Sequence, residues 1–378
     1  MKGNTMHKLP VLAVDVGFGN TKYKYGDQDN DSGIFKSVAA KALLDDKSFE
    51  TVSPTMNRIA VTVNQKEYIV GPEAYELDKT VEMADDFVAT EAYLALIKGA
   101  IYYSMKALST PFDTIEALAV GLPNSNFVRD KQILKDVLLT THTIPVPSKF
   151  SHLMGPTIDV KIEKILTLPQ PLGSQTAYLM QQQIYETKNQ TNLVIDIGFN
   201  TLDWLSIKTV SIDSSHSGSI NAGVSQVLQA LSSYISKLHG IERLEFYDTQ
   251  KAYLDGFFIY KGRKILTNQL QSIVENKCDD IVNRFKNNIK KYDYDNLILT
   301  GGGAQMYASS IHKQFKDLIG EIYTAEVHHV RPKAVILVDD EGNEIVLPKE
   351  KQIPSDFFRK GDNVRGIIES VELKGNKP

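Results

Sequence analysis

The stretch VLAVDVGFGNT, from Val11 to Thr21, has a near copy in LVIDIGFNT, from Leu193 to Thr201. In both, an apolar run ends in Asp-x-Gly-Phe and continues into Asn-Thr, and the two turns differ by one residue. The aspartates, Asp15 and Asp196, lie 181 positions apart, which is close to half of the 378 residues. A repeat at that spacing predicts a duplicated domain.

The turn after each apolar run has the chemistry of a phosphate site. The run is a candidate buried strand, the glycine permits a tight turn, and the small polar residues offer amide and hydroxyl donors to a phosphate. The aspartate repels phosphate, so we expect it to hold a magnesium ion or an attacking water. One such turn alone is more often an ordinary Asp-Gly turn; two that face each other would grip a polyphosphate from both sides.

A third stretch, NLILTGGGA from Asn296 to Ala304, is an apolar strand that ends in three glycines. The next residues, Gln305 to Leu318, have the helical period, with Ile311 and Phe315 on one face. Three glycines let a flat ligand approach the backbone, and a helix N-terminus favours negative charge. A flexible loop explains the glycines equally well in isolation. After two Asp-x-Gly turns, they indicate a nucleotide platform.

Composition narrows the class of protein. With 42% apolar and 23% charged residues, the chain can bury a large core, and a net charge of −4 argues against a surface built to hold a polyanion. The single cysteine, Cys278, rules out an internal disulfide and fits a reducing compartment. The chain has no apolar span of about 20 residues and no apolar signal region after MKGNTMHKLP. These features predict a soluble, cytoplasmic protein.

The motifs occur in an order that resembles the fold shared by actin, sugar kinases and heat-shock ATPases. They are a first phosphate motif (Asp15 to Lys22), a connecting motif PQPLGSQ (Pro169 to Gln175), a second phosphate motif (Asp196 to Asp203), an adenosine motif (Leu299 to Ala304) and a second connecting motif DNVRGI (Asp362 to Ile367). Within that superfamily, VGLP (Val120 to Pro123), PQPLG and DNVRG are most similar to the ParM-type plasmid-segregating bacterial actins.

The resemblance implies an α/β, actin-like fold of duplicated ribonuclease H-like domains, in which two lobes enclose a nucleotide cleft. We expect a first lobe over residues 9–168 with a small subdomain at about 34–84, and a second lobe over 169–378 with a small subdomain at about 242–270. About 40 residues separate the adenosine helix from Asp362, more than is usual for the family. Within them, Ala334 to Val338 and Glu344 to Leu347 flank DDEGN, which predicts a β-hairpin at about 330–350. Either this hairpin is an insertion, whose edge could take a partner, or the last motif is misplaced.

The resemblance also implies roles for individual residues. Asp15 and Asp196 correspond to the carboxylates that hold hydrated magnesium, with Asp196 also catalytic. Lys22 stands where the family lysine reaches the phosphates, and Gln170 stands where a glutamine or glutamate orients the attacking water. The remaining nucleotide contacts would come from Gly17, Phe18, Gly19, Asn20 and Thr21 in the first turn, Gly198, Phe199, Asn200 and Thr201 in the second, and Gly301, Gly302 and Gly303 on the adenosine side.

Plainer interpretations apply to several other residues. Asp203 is more simply a strand-end hydrogen-bonding residue, and Gln170, between two prolines, could merely mark a turn. Cys278 lies on a helical stripe and needs no redox role. His328 and His329 are adjacent, a poor arrangement for gripping one metal, so we expect no structural metal site.

The function implied by the resemblance is a filament-forming ATPase that binds ATP, or GTP, with Mg²⁺ and segregates plasmid DNA. It would assemble with itself and reach the plasmid centromere through an adaptor protein, without touching DNA or a membrane, as the charge of −4 allows. Two alternatives share the fold. One is a small-molecule kinase, for which we find no acceptor base. The other is a cell-shape, division or chaperone ATPase, and we expect neither the long C-terminal peptide-binding region of the chaperones nor an amphipathic membrane tail.

Overall fold

The structure, a computed structural model, describes thirteen segments of the chain. They are residues 7–26, 31–42, 57–77, 86–124, 127–181, 190–208, 211–267, 270–289, 293–327, 334–338, 344–348, 364–365 and 371–375. No helix in these segments is long and apolar enough to cross a membrane.

The first half of the chain is a mixed sheet covered by helices. Its strands are β1 (His7–Val16), β2 (Asn20–Lys24), β3 (Ser32–Lys36), β4 (Ala40–Lys41), β5 (Ile59–Val63), β6 (Lys66–Val70), β7 (Phe112–Leu122), β8 (Thr141–Pro145), β9 (Thr157–Ile162) and β10 (Ile165–Pro169), and its helices are α1 (Glu91–Leu108), α2 (Phe127–Leu138) and α3 (Ser148–Met154). The main sheet has the order β3-β2-β1-β7-β9-β8, with β10 also paired to β7. Strands β4, β6 and β5 form a separate small sheet inside the predicted first subdomain.

The second half repeats this plan. It contains α4 (Gln170–Gln181), β11 (Thr191–Ile197), β12 (Leu202–Lys208), β13 (Ser211–Ile220), α5 (Val224–His239), α6 (Phe246–Asp255), β14 (Phe257–Tyr260), β15 (Arg263–Leu266), α7 (Gln271–Lys286), β16 (Asn296–Thr300), α8 (Ala304–Phe315), β17 (Glu321–Val327), β18 (Ala334–Val338), β19 (Glu344–Pro348), β20 (Val364–Arg365) and β21 (Val371–Gly375). Its main sheet has the order β13-β12-β11-β16-β17-β21.

The duplication is visible in the strand pairing. In the first half, β1 pairs antiparallel with β2, opposing Asp15 to Lys22, and parallel with β7. In the second, β11 pairs antiparallel with β12, opposing Asp196 to Asp203, and parallel with β16. The duplicated domains predicted from the repeated turns are therefore confirmed.

Each half has its own apolar core. The core of the first half lies where α1 packs against β1, β2 and β5, and includes Leu12, Leu96 and Phe112 with no exposed surface. The core of the second half lies where α5, α7 and α8 cover the β11–β16 sheet, and Cys278 of α7 is buried in it. Burial raises the pKa of the Cys278 thiol to about 12, which fits the predicted absence of redox chemistry.

The predicted hairpin strands pair with each other as expected. Strands β18 and β19 are antiparallel, with Val338 opposite Glu344, and β20 adds to β18 in a separate three-stranded sheet. The DDEGN turn lies outside the described residues, as do His328 and His329. Of the predicted second connecting motif only Val364 and Arg365 are described, and they form β20.

Candidate functional site

A cavity of about 340 Å³ lies between the two halves, where the Asp-x-Gly turns face each other. Thirteen of the predicted site residues line it: Asp15, Gly17, Phe18, Gly19, Asn20, Lys22, Gln170, Asp196, Gly198, Phe199, Asn200, Thr201 and Gly302. The position of the cavity follows from the fold, because the carboxyl ends of parallel strands β1 and β7, and of β11 and β16, meet at one edge of each sheet.

The two turns have the same internal hydrogen bond. In the first, the backbone N–H of Gly17 donates to the carbonyl of Asn20 at 3.1 Å; in the second, Gly198 N–H donates to Thr201 at 2.9 Å. The turns also touch, since a Cβ on Gly19 would lie 3.1 Å from the Cβ of Phe199. The halves therefore approach each other closely at the point where both backbones face the cavity.

One predicted contact residue of the first turn faces away from the cavity. Thr21 is fully buried, and its hydroxyl lies 2.9 Å from the Ser37 hydroxyl. It therefore ties the turn to the end of β3.

The second turn is hydrogen-bonded to the start of α5. Backbone N–H groups of Val224 and Ser225 donate to the carbonyls of Gly198 and Phe199, at 3.1 and 2.7 Å. A Cβ on Gly223 would lie 2.5 Å from the Phe199 carbonyl oxygen, so only glycine permits this approach. Thr201 donates from its hydroxyl to Asp203 at 2.6 Å, which agrees with the interpretation of Asp203 as a strand-end hydrogen-bonding residue.

The three glycines after β16 differ in their surroundings. Gly301 has φ +91°, and a Cβ there would lie 2.2 Å from Oδ1 of Asp196. A Cβ on Gly303 would meet the side chains of Ile197 and Val224 at 2.5 and 2.6 Å. Only Gly302 lines the cavity, and a Cβ there would have no atom within 4 Å. Gly301 and Gly303 thus let the turn pack against β11, while Gly302 faces the space a ligand would take.

Gln170 and Lys22 are both held on Asp15. The amide nitrogen of Gln170 donates to Oδ1 of Asp15 at 2.5 Å, and the Lys22 ammonium lies 3.4 Å from Oδ2. Gln170 is the first residue of α4, directly after β10, and it lies against Gly121 of β7, where a Cβ would be 3.1 Å from Cγ of Gln170. Pairing of β10 with β7 therefore places the glutamine beside the aspartate.

Among the described residues, the cavity holds more buried carboxylates than cationic side chains close enough to stabilise them. Burial raises the pKa of Asp196 to about 7; Lys22 opposes this shift, while Asp203 and Asp15 add to it. Burial alone would lower the pKa of Lys22, but Asp15 and Asp196 outweigh it and raise that pKa. Burial also raises the pKa of Asp203.

The donor set fits a hydrated magnesium ion. Two carboxylates, Asp15 and Asp196, open onto one cavity, and Mg²⁺ is typically held by one or two carboxylates with water and phosphate oxygens completing its shell. A cation there would also favour the ionised form of Asp196, whose pKa is raised. Within the described segments, no cluster of three or more His, Cys, Asp or Glu side chains could hold a metal ion, so water and phosphate oxygens would have to complete the magnesium shell.

A contact from α6 bridges the halves at the cleft. The Tyr247 hydroxyl donates to the carbonyl of Gly19 at 3.3 Å, and the Lys36 ammonium lies 4.7 Å from the centre of the Tyr247 ring. Tyr75 packs edge-on against the same ring at 6.2 Å, and Lys36 also donates to Gln250 at 3.4 Å. Tyr247 thus links the second half to the first phosphate turn.

Sequence reasoning missed part of the lining. Phe87, Val88, Tyr93, Arg129, Asp130, Asn221, Val224 and Gln250 line the cavity without belonging to a motif. Gly121, Leu122 and Pro123 line it as well. These three lie in the VGLP stretch that carries part of the family resemblance, and because β7 is parallel to β1, its carboxyl end must reach the same edge.

Comparison with known proteins covers both halves. Residues 13–173 match the family described as actin-like proteins, N-terminal domain, and residues 194–313 match the archaeal actin homologue MreB-like family, C-terminal. An archaeal actin homologue of Thermoplasma acidophilum is 24% identical over 310 residues, which cover 79% of this chain and 89% of the relative.

Solved structures share the fold. The crystal structure of an archaeal actin homologue in complex with ADP aligns with a TM-score of 0.63 and 22% identity, over 83% of this chain and 92% of the other. A ParM subunit from a 15-stranded filament of Clostridium botulinum aligns with a TM-score of 0.64 and 19% identity, over 81% of this chain and 92% of the other. The fold predicted from the motif order is the actin-like fold.

Proposed function

Because the chain belongs to the actin-like superfamily, we propose that it is a filament-forming ATPase that binds a nucleoside triphosphate with Mg²⁺ in the cleft. The observation that carries the proposal is the pair of hydrogen-bonded Asp-x-Gly turns facing one cavity. Their backbone amides and the Lys22 ammonium supply donors to a polyphosphate from both halves. The ADP complex of the archaeal actin homologue supports a nucleotide as the ligand.

The contacts around Asp15 support the catalytic roles that we propose. Water attacks the terminal phosphorus, and the bond from that phosphorus to the bridging oxygen breaks. The nucleoside diphosphate leaves with the electron pair, and the proton of the water passes to the products. Gln170, held on Asp15 through its amide nitrogen, has its amide oxygen left to accept from that water. Asp196, with Asp15, would hold a hydrated Mg²⁺, which would supply positive charge to the phosphates. Such positioning and electrostatic stabilisation are the main protein contributions to phosphoryl transfer.

The biological role we propose is plasmid segregation in the cytoplasm. Lobes over residues 9–168 and 169–378 would close on the nucleotide, subunits would assemble, and hydrolysis would weaken the filament. An adaptor protein bound to centromere DNA would link the filament to its plasmid, so the chain itself need not bind DNA. The similarity to a ParM filament subunit and the net charge of −4 support this scheme.

The proposal is tested by phosphate release from ATP and GTP, with Mg²⁺ and with EDTA. We expect Mg²⁺-dependent release by the full chain and a turnover reduced by about 100-fold in Gln170→Ala, with nucleotide affinity unchanged, because the glutamine acts on the water. Gln132→Ala, at an exposed residue of α2, is the matched control. ATP-dependent phosphorylation of a metabolite without polymer would instead favour a kinase.

A further inference from the structure

The cavity that Asp15 lines is also lined by Phe87, Val88, Tyr93, Arg129 and Asp130. These residues come from the 3₁₀ turn Phe87–Ala89, from α1 and from α2, and none belongs to the two phosphate turns. Asp130 is buried, and its carboxylate accepts from Nε of Arg129 at 2.6 Å. This part of the lining thus combines a buried carboxylate with aromatic side chains.

Tyr93 is held rigidly in this part of the lining. Its backbone N–H donates to the Thr90 hydroxyl at 3.1 Å, which caps the start of α1. Its ring meets Phe87 edge-on, with ring centres 5.4 Å apart, and Phe87 in turn stacks on Phe18 of the first phosphate turn at 5.2 Å. The ring is therefore fixed by both the helix start and the turn that faces the cavity.

The hydroxyl of Tyr93 is a buried polar group without a protein partner. The residue is 1% exposed, and its hydroxyl oxygen has no hydrogen-bond partner among the described residues. Other buried tyrosines donate to carbonyl oxygens: Tyr103 to Asn57, Tyr307 to Ala222 and Tyr247 to Gly19. Buried hydroxyls are normally satisfied by protein or by an ordered water, and Tyr93 lines a cavity large enough for water that also contains the Asp15 and Asp130 carboxylates.

The charges around Tyr93 keep it protonated. Burial, and the negative charges of Asp15 and Asp130, raise the pKa of the phenol. The hydroxyl thus acts at working pH as a neutral hydrogen-bonding group and not as an acid or base.

We propose that Tyr93 is a positioning residue, whose hydroxyl and the Asp130 carboxylate hold a water molecule beside Asp15 that hydrogen-bonds to the attacking water. The phenol donates to one lone pair of this second water, and the second water donates one hydrogen to Asp130 and the other towards the attacking water. The attacking water is then held by the second water as well as by Gln170. This inference rests on the proposed hydrolysis of a nucleoside triphosphate.

The test is Tyr93→Phe in the full chain, which removes only the hydroxyl. We expect turnover of Mg-ATP to fall about tenfold, with KM, nucleotide affinity and resistance to urea unchanged. Because the phenol does not ionise in the working range, the ratio of variant to wild-type turnover should be the same from pH 6.5 to 9. Tyr103→Phe, in the same core but away from the cavity, should keep wild-type turnover.

Unchanged turnover in Tyr93→Phe would overturn the inference. A fall in kcat/KM that comes entirely from a higher KM would overturn it as well. If that variant does not fold, Asp130→Asn is measured in its place and must lower turnover without changing KM. A crystal structure with a non-hydrolysable analogue gives an independent readout: a water about 2.6–3.2 Å from the Tyr93 hydroxyl is expected, and its absence would contradict the inference. A wild-type protein that releases no phosphate would instead refute the proposed function.

Discussion

Asp196 is held in the cleft at a free-energy cost that its neighbours only partly offset. Burial raises its pKa to about 7, and Lys22 is the neighbouring charge that stabilises the carboxylate. The Lys22 ammonium is shared, because it also pairs with Asp15 at 3.4 Å. At the scale of the residue, the site is therefore prepared for a further cation, whose charge would complete the compensation.

A pH-dependent stability difference follows for Asp196→Asn. The folded protein without nucleotide keeps a proton on Asp196 up to pH about 7, whereas the unfolded chain releases it near pH 4. The stability that the protonated Asp196 contributes is therefore fully present below pH 4 and is lost as pH rises through 7. Asparagine stays neutral at every pH. As pH rises from 5 to 8, we expect the unfolding free energy of the variant to increase by about 1–4 kcal/mol relative to that of wild type.

Urea unfolding of both proteins at pH 5 and pH 8, without nucleotide or Mg²⁺, measures this difference. Asp279→Asn is the matched control: the hydrogen bond from Lys313 lowers the pKa of Asp279, so this carboxylate is ionised in the folded and the unfolded chain at both pH values, and no change of the stability difference between pH 5 and pH 8 is expected. A stability difference between Asp196→Asn and wild type that does not change with pH would refute the buried-carboxylate account.

At the scale of the element, the two strands with their Asp-x-Gly turns are the part of the fold that the sequence predicted best. Helix α1 spans Glu91 to Leu108, where its apolar residues follow the helical period and Thr90 caps its start. Both Asp-x-Gly turns lie at the ends of their predicted strands. The strand pairing around the two turns repeats as the motif does.

The missed elements are those whose role depends on long-range packing. Tyr93, Asp130 and Tyr247 reach the cleft because α1, α2 and α6 pack there, and no local spacing marks them. The side chain of Thr21 lies against Ser37 because the alternation of β2 turns it away from the cavity. Gly301 and Gly303 were predicted beside the adenosine, yet packing against β11 requires them to be glycine.

The glycine turn after β16 provides a paired prediction. Gly301→Ala places a methyl group 2.2 Å from Oδ1 of Asp196 at a φ of +91°, so we expect it to unfold at lower temperature and to lose nucleotide binding. Gly302→Ala meets no atom within 4 Å and should keep wild-type stability while weakening nucleotide binding. Thermal unfolding and nucleotide titration of the two variants separate these effects. Equal stability of both would contradict the packing described for this turn.

At the scale of the whole molecule, the two halves are joined across the cleft by α6. Tyr247→Phe removes the hydrogen bond to the Gly19 carbonyl and keeps the ring that Lys36 and Tyr75 contact. We expect bound nucleotide to dissociate about two- to tenfold faster, as for the loss of one net hydrogen bond. Stopped-flow release of a fluorescent nucleotide measures the rate, with Tyr234→Phe, at an exposed residue of α5, as control. An unchanged rate would mean that this contact does not hold the cleft closed.

The duplicated halves give the molecule one cleft with a carboxylate on each side, and the central claim is that nucleotide in this cleft drives assembly. Negative-stain electron microscopy of the full chain, with Mg-ATP or Mg-GTP and without nucleotide, tests it most directly. We predict filaments only with nucleotide, and filaments that persist longer in Asp196→Ala because hydrolysis is slowed. Particles that stay monomeric at saturating Mg-ATP and Mg-GTP would contradict the claim.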